Sequence, residues 1–530
     1  MSMPVKTDHP KGESEIAQIE EYLKEFALDT YAGKVQVSFE EDSDTTISGQ
    51  MVFFIAYIKV SGLWDKFVNE FPVVPGPRTT PAVDVLGTIL LSVLGGHKRY
   101  AHITAIRADN VNPRLLGMNK AISSDTVRRS LESVDEDEGI KWLEDSLVYS
   151  YGSILTEPWV LDVDTTIKTL YGKQEGLVAG YNPKKPGRPA HIYHTYMIGT
   201  LRLILNVEVT AGNKSATNYT APELWKLLDS LPADQLPHLL RADCAFGNDV
   251  IISEAEKRGI NYLFKLKQTK NVKKEIIRTA GKEGWSDAGS GWSGCVSEVA
   301  LLGWESPRKI IVLRRLMRKP ITALEASKVK ALKDAAKGDT EVRGYQFELP
   351  FYDLVKGDFS EYEYAVLVTS LNDDVRTIAQ LYRDRADSEN GFDELKNQWG
   401  WGGYATQDIK RCRFMARIVG LVYNWWNLFA RLGNPDKHME AISSRPLLLH
   451  GVGRQTEHAG QTRLKISSMH GLKKKVIFCF NRIAKTLNDV LLKARHLTKL
   501  QIWNLILSKA LVKFLNGRNL NPKTLIQNQT

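Results

Sequence analysis

The spacing of apolar positions changes along the chain, and each change marks a change of element. From Gly49 to about Tyr151 apolar residues recur at helical spacing. Thr80–Leu94 reads as an apolar helix with Pro81 in its first turn, where no N–H is needed. Ser124–Val134 (SDTVRRSLESV) opens on Ser and Asp, and RLLGMNKAIS before it holds Gly117 at a turn position. Helix, glycine turn and a basic helix carrying Arg128 and Arg129 is the order of a helix-turn-helix DNA reader, although an ordinary packed helix pair has the same signature. Residues 1–45 are polar and acidic, with one helix expected at Glu15–Phe26 and the rest expected to be mobile.

At Trp159 the period shortens to two. WVLDVD places Trp159, Leu161 and Val163 on one side and Val160, Asp162 and Asp164 on the other. His191–Thr200 and Leu201–Thr210 read as further strands, and Ala221–Leu231 as a helix with Thr220 as N-cap and Pro222 in its first turn. HLLRAD (238–243) is a strand ending at Asp243. Asn248 caps a helix to Arg258 that Gly259 stops, and NYLFKLK (261–267) is the next strand. Three strands followed by helix, strand, helix and strand predict an α/β ribonuclease-H-like core, a mixed sheet flanked by helices.

Gln268–Asp374 interrupts that core. The run GWSDAGSGWSG and strand candidates at Lys309–Leu316, Gly344–Leu354 and Glu363–Ser370 predict a β-rich insertion, with a helical Ala323–Lys337 inside it. Ile378–Lys396 reads as one helix, and 407–530 as mostly helical, with apolar faces beside basic ones. The plan is therefore an acidic N-terminus (1–45), a helical DNA-binding region (46–155), a catalytic core (156–267 and 375–410), the insertion (268–374) and a basic helical C-terminal region (411–530).

Length and composition fit this plan. The 530 residues suffice for about three domains, and the 43% hydrophobic and 25% charged content is that of a globular chain. The apolar run near Val83–Leu94 is broken by Asp84 and is too short to span a bilayer, so no membrane role is expected. The first residues, MSMPVKTDHPKGESE, carry no apolar signal core, which predicts a cytoplasmic protein. Cys244, Cys295, Cys412 and Cys479 lie far apart with no C-x-x-C pair, so free thiols are expected rather than a disulfide framework or cysteine zinc site. The net charge of +10 is uneven: residues 401–530 carry 22 Lys and Arg against 5 Asp and Glu, and residues 1–50 carry 4 against 11. Positive charge gathered in one tail points to a polyanionic partner, because neutralising phosphates releases counterions.

The candidate chemistry lies in LYRDRADSENGFDELKNQWGW. At about 100° per residue on one helix, Tyr382, Arg385, Glu389 and Lys396 fall within roughly 60° of one face. Phenol, guanidinium and ammonium are phosphate-binding groups, and the carboxylate among them suits a hard metal ion. A solvated charged face with intrahelical ion pairs is the competing account. Asp164 and Asp243 add to the case, because each ends an apolar strand where a core meets a pocket. Three carboxylates can hold two divalent cations about 3.5–4 Å apart, one activating the attacking oxygen and one stabilising the leaving oxygen. Asp162 shares a strand face with Asp164 and is a reserve candidate.

The spacing Tyr382-x2-Arg385-x3-Glu389-x6-Lys396 resembles the Y-R-E-K signature of bacterial insertion-sequence transposases of the DDE type, those of insertion-sequence family 4 and its relatives. Asp164-Thr165-Thr166 is similar to that family's first motif, and Asp243-Cys244-Ala245-Phe246 to its second, with Cys244 where Arg, Ala or Ser is usual. GHKRYAHI (96–103) and NPKKPGRPAHIYH (182–194) resemble the family 1380 branch, and the likeness spans about Leu86–Leu432. The resemblance implies Asp164, Asp243 and Glu389 as catalytic metal ligands, Mg2+ as cofactor with Mn2+ able to substitute, and Tyr382, Arg385 and Lys396 as grips on DNA phosphates. Double-stranded DNA, transposon ends and target, is then the partner, a homodimer the paired-end form, and the bacterial nucleoid the place.

Lys184, Lys185 and Arg188 crowd a Pro/Gly-rich loop and are further DNA-binding candidates, or a solvated turn. In relatives an insertion tryptophan can stack on a flipped base. Of Trp285, Trp292 and Trp304, at least two are expected in the insertion's own core. His191 and His194 are expected to be structural. Two other functions fit the carboxylates: a ribonuclease-H-like DNA nuclease without transposition, and a repurposed DNA-binding protein.

Overall fold

The computed structural model describes residues 25–38, 44–73, 76, 79–180, 182, 185–214, 216–317, 362–404, 406–469 and 471–520. The N-terminal region is helical, as its periodicity predicts. Its main helices are α1 (Met51–Val60), α2 (Ala82–Leu94), α3 (Ser124–Glu132) and α4 (Glu136–Tyr151). Ser123 caps α3 by accepting from the Thr126 N–H, and Asp135 caps α4 by accepting from Asp137 and Glu138. Gly117, at φ +76°, closes the turn after the short helix Val111–Leu115, so the helix–turn–helix order is present.

The core strands are β1 (Val160–Thr169), β2 (Pro189–Ile198), β3 (Leu203–Ala211), β4 (Leu239–Ala242) and β5 (Tyr262–Lys265). β2 runs antiparallel between β1 and β3, while β4 pairs parallel with β1 and β5 parallel with β4. The spatial order β3-β2-β1-β4-β5 is compatible with the ribonuclease-H-like core that the element order predicts. α5 (Ala221–Asp229) lies between β3 and β4 in the chain, and α6 (Asp249–Lys257) between β4 and β5. Asn248 caps α6 through the Ile251 N–H, and Gly259 at φ +65° ends it. Thr220 does not cap α5. Its backbone is already helical, and its hydroxyl lies 2.6 Å from Nδ1 of the buried His194, which needs a partner more than the helix end does.

The insertion extends the same sheet. β6 (Ser286–Gly289), β7 (Trp292–Val299), β8 (Arg308–Leu316) and β9 (Tyr362–Thr369) form an antiparallel run in which β9 pairs with β5 through Leu367 opposite Lys265. The strand expected at Gly344–Leu354 and the helix expected at Ala323–Lys337 lie outside the described residues. So does the helix expected at Glu15–Phe26, except that Glu25 and Phe26 begin a strand, Glu25–Thr30, paired with Gly33–Ser38.

The helix expected over Ile378–Lys396 is two helices, α7 (Val375–Arg383) and α8 (Ala386–Gln398). They meet in a tight turn where the Arg385 N–H donates to the Tyr382 carbonyl and the Ser388 N–H to the Arg385 carbonyl. The turn lets each helix bury its own face, Ile378 and Ala379 from α7, and Phe392 and Leu395 from α8.

α9 (Ile409–Gly433) is almost wholly buried and packs along β3. Asn424 closes the exposed side of β3 as another strand would: its Oδ1 accepts from the Ile204 N–H at 2.8 Å and its Nδ2 donates to the Ile204 carbonyl at 2.7 Å. Buried Arg417 on α9 pairs with Glu208 on β3 and, at 3.6 Å, with Glu144 on α4. α10 (Lys473–Lys493) stacks Phe480 on Phe53 of α1 with ring centroids 4.1 Å apart. Within the region read as mostly helical, Gly453–His458 and Gln461–Ile466 form a hairpin that also pairs with Thr45–Thr46. Its strands are mostly polar, so they give no clear alternation. Ala459 and Gly460, both at positive φ, make the turn.

Candidate functional site

Asp164 projects from β1, on the same face as Asp162, Thr166 and Lys168. Asp243 follows β4 directly, and Ala242 pairs with Val163, so Asp243 comes beside Asp164; Asp164 does not end its strand as expected, because β1 runs on to Thr169 against β2. The Asp243 Oδ1 accepts from the Ala245 N–H at 3.0 Å, which fixes the side chain in a turn before α6. Glu389 comes from the first turn of α8 and is exposed.

Arg385 lies among these groups. It is buried, it pairs with Glu389, and its Nη2 is 3.5 Å from Asp164 Oδ1. Burial pushes the Asp164 carboxyl up to about 6; Arg385 works against this, and the charges of Asp243 and Glu389 add to it. Against its own burial, the Arg385 guanidinium is held above its ordinary range by Asp164, Tyr382, Glu389 and the buried Asp162. Asp164 and Glu389 thus share one fixed cation, while Asp243 acts on Asp164 by repulsion alone.

Among the described residues, no three His, Cys, Asp or Glu side chains are drawn close enough to cage a metal ion. The positive charge between Asp164 and Glu389 is the guanidinium. The donor set nevertheless fits a hard divalent cation: three carboxylates, all oxygen donors, sharing one field. A bound ion would take over part of the charge that Arg385 now balances.

Tyr382, Arg385 and Glu389 line one cavity of about 500 Å³. Lys265 of β5 is in its wall, and the insertion supplies Trp292, Arg315 and Glu363. Burial raises the Tyr382 phenol, which stays a neutral donor. Lys396 is not on this cavity. It opens on a second cavity of about 270 Å³, with Thr166, Lys168, Lys185 and Trp401. The four motif residues therefore do not form a single stripe on one helix, because the turn at Arg385 divides them.

Asp162 is not a reserve ligand. It is fully buried, accepts from Nε and Nη2 of Arg241 at 2.7 Å each, and receives the Ser388 hydroxyl. A side chain at Gly199 would collide with this pair, so glycine is required there. The position matches Asp164 by alternation, but the buried partner opposite it on β4 consumes its charge.

Lys185 and Arg188 are exposed and gather around the Tyr171 ring, at 5.1 and 5.9 Å; Lys184 lies outside the described residues. His191 Nε2 is 2.8 Å from the Glu175 carbonyl, and His194 lies between the Thr220 and Thr210 hydroxyls, so both are structural. Trp285 and Trp304 pack against the main core, while Trp292 faces the cavity with Arg315 4.9 Å from its ring. The sequence reasoning missed Lys265 and Lys168. Lys168 was recoverable, since i+4 from Asp164 on a strand returns to the same face.

The family model of the transposase DDE domain matches residues 155–425, just over half of the chain. The chain therefore belongs to the DDE transposase family, and is a metal-dependent polynucleotidyl transferase acting on DNA. A solved structure of piggyBac transposase in a synaptic complex with hairpin DNA is similar at 10% identity and a TM-score of 0.36, over 87% of this chain and 85% of that one. No curated protein matches the chain. Among the described residues, no helix is long and apolar enough to cross a membrane.

Proposed function

We propose that this transposase moves its own element by cut and paste, using Asp164, Asp243 and Glu389 as ligands for Mg2+, with Mn2+ as substitute. The observation that carries this reading is Asp164 within β1 beside Asp243 just past the parallel strand β4, with Asp164 and Glu389 joined through Arg385. The metal, when bound, would lower the pKa of an attacking water or 3′-hydroxyl and stabilise the leaving oxygen. Tyr382 and Arg385 supply donors in the cavity for a scissile phosphate. The exposed position of Glu389 lets it turn from Arg385 toward the other carboxylates when substrate arrives. Trp292 in the cavity wall suits stacking against an unpaired base.

The spacing of Tyr382, Arg385, Glu389 and Lys396 supports placement beside the bacterial insertion-sequence family 4 transposases. Under that reading the enzyme binds terminal inverted repeats, pairs two ends as a homodimer and works at the nucleoid. Arg128 and Arg129 of α3, Lys185 and Arg188 of the loop, and Lys473–Lys475 at the start of α10 are further candidates for DNA contact.

The test uses duplexes carrying the ends of the element. Wild type should cleave them in Mg2+ and join pre-cleaved ends to a target. Asp164→Ala should bind the same duplex in EDTA and do neither. Cleavage without joining would make the protein a nuclease; equal behaviour of wild type and Asp164→Ala would leave it a DNA-binding protein only.

A further inference from the structure

The cavity shared by Lys168, Lys185 and Lys396 is separate from the one that holds Tyr382, Arg385 and Glu389. Its wall contains three lysines and no Asp or Glu among the described residues, with Thr166, Tyr193 and Trp401 between them. Two of its donors are buried without a hydrogen-bond partner among the described residues: Lys168 Nζ and Trp401 Nε1. Orphaned buried donors are costly, and a pair in one cavity asks for an acceptor. Burial pushes the Lys168 ammonium down to about 8, a cost that an anion would remove. The Trp401 ring meets Tyr193 edge-on at 6.0 Å, which holds its N–H in place. Gly402 keeps the space open, since a Cβ there would lie 2.9 Å from Lys168 Cδ.

We propose that this cavity is a second phosphate subsite, in which Lys168 and Trp401 hold a backbone phosphate of the DNA strand beyond the cleavage point. Lys168 and Asp164 share a strand face four positions apart, about 13 Å along β1. At about 3.4 Å of axial rise per nucleotide, the subsite reads a phosphate a few nucleotides from the reacting one. Lys185 and Lys396 widen the positive field at its mouth. The subsite rests on the transposase reading but is tested without catalysis.

The experiment measures binding of an end-bearing duplex in EDTA by fluorescence anisotropy over a salt series. Lys168→Met should lower the slope of log affinity against log salt by about one, the loss of one phosphate contact, while Lys168→Arg keeps it. Trp401→Phe should weaken binding several-fold with little change in slope. Asp164→Ala should keep the wild-type slope, so failure of cleavage and failure of the subsite are separable. Thermal unfolding of Lys168→Met should match or exceed wild type, since a desolvated charge is gone. An unchanged slope in folded Lys168→Met would overturn the proposal. If Lys168→Met does not fold, wild-type affinity in Trp401→Phe would overturn it.

Discussion

Asp162 and Asp164 lie two positions apart on one face of β1 and differ in what stands beside them. Asp162 meets Arg241 on the neighbouring strand and is fully committed to it. Asp164 meets other carboxylates and a shared guanidinium. Removing one partner of a buried pair strands the other charge, so Asp162→Asn should cost about 3–5 kcal/mol in urea unfolding. Asp164→Asn removes a repelling charge and should leave the unfolding midpoint unchanged or raise it, while abolishing cleavage. If the two variants destabilised equally, Asp164 would be a structural residue.

At the scale of elements, the site depends on the middle of β1, the end of β4 and the start of α8 arriving together. Asp164 and Asp243 are delivered by the parallel pairing of β1 and β4, Glu389 by the turn that separates α7 from α8. Mg2+ binding to this set should raise Tm, equivalent to about 2.7 kcal/mol at a hundred times its Kd. The rise should vanish in Asp164→Ala, Asp243→Ala and Glu389→Ala; a rise that persists in all three places the ion elsewhere.

β2 and the start of α5 are tied by His194, whose burial pushes it from its usual 6.5 down to about 4. The unfolded chain therefore binds this proton first. The stability contributed by neutral His194 is complete above pH 6.5 and is lost as pH falls toward 4, by roughly 3 kcal/mol at most. His194→Gln should flatten the stability profile in that window. A profile as steep as wild type would show that other groups cause it.

Over the whole molecule, the N- and C-terminal regions share one core with the catalytic sheet. Phe54 of α1 is fully buried against Trp426 and Phe429 of α9, with centroids 5.6 and 5.3 Å away, and α9 backs β3. Phe54→Ala should cost about 3–5 kcal/mol. Because the core is continuous, unfolding by tryptophan fluorescence and loss of helical circular dichroism should shift together. Separate transitions would show that the terminal helices fold independently.

The sequence alone determined the alternation of β1, the order of core elements, the basic C-terminal charge and the motif spacing that marks the carboxylates. These are local, because strand period, capping residues and glycine stops act over a few residues. Only the tertiary structure decided which aspartate was committed to an arginine, since the partner lies 79 positions away on β4. It alone made the insertion an extension of the sheet, divided the motif between two cavities at Arg385, and placed Lys168 beside Trp401. Each depends on contacts between distant segments, where burial and pairing set the role of a charge and the pattern along the chain carries no record of them.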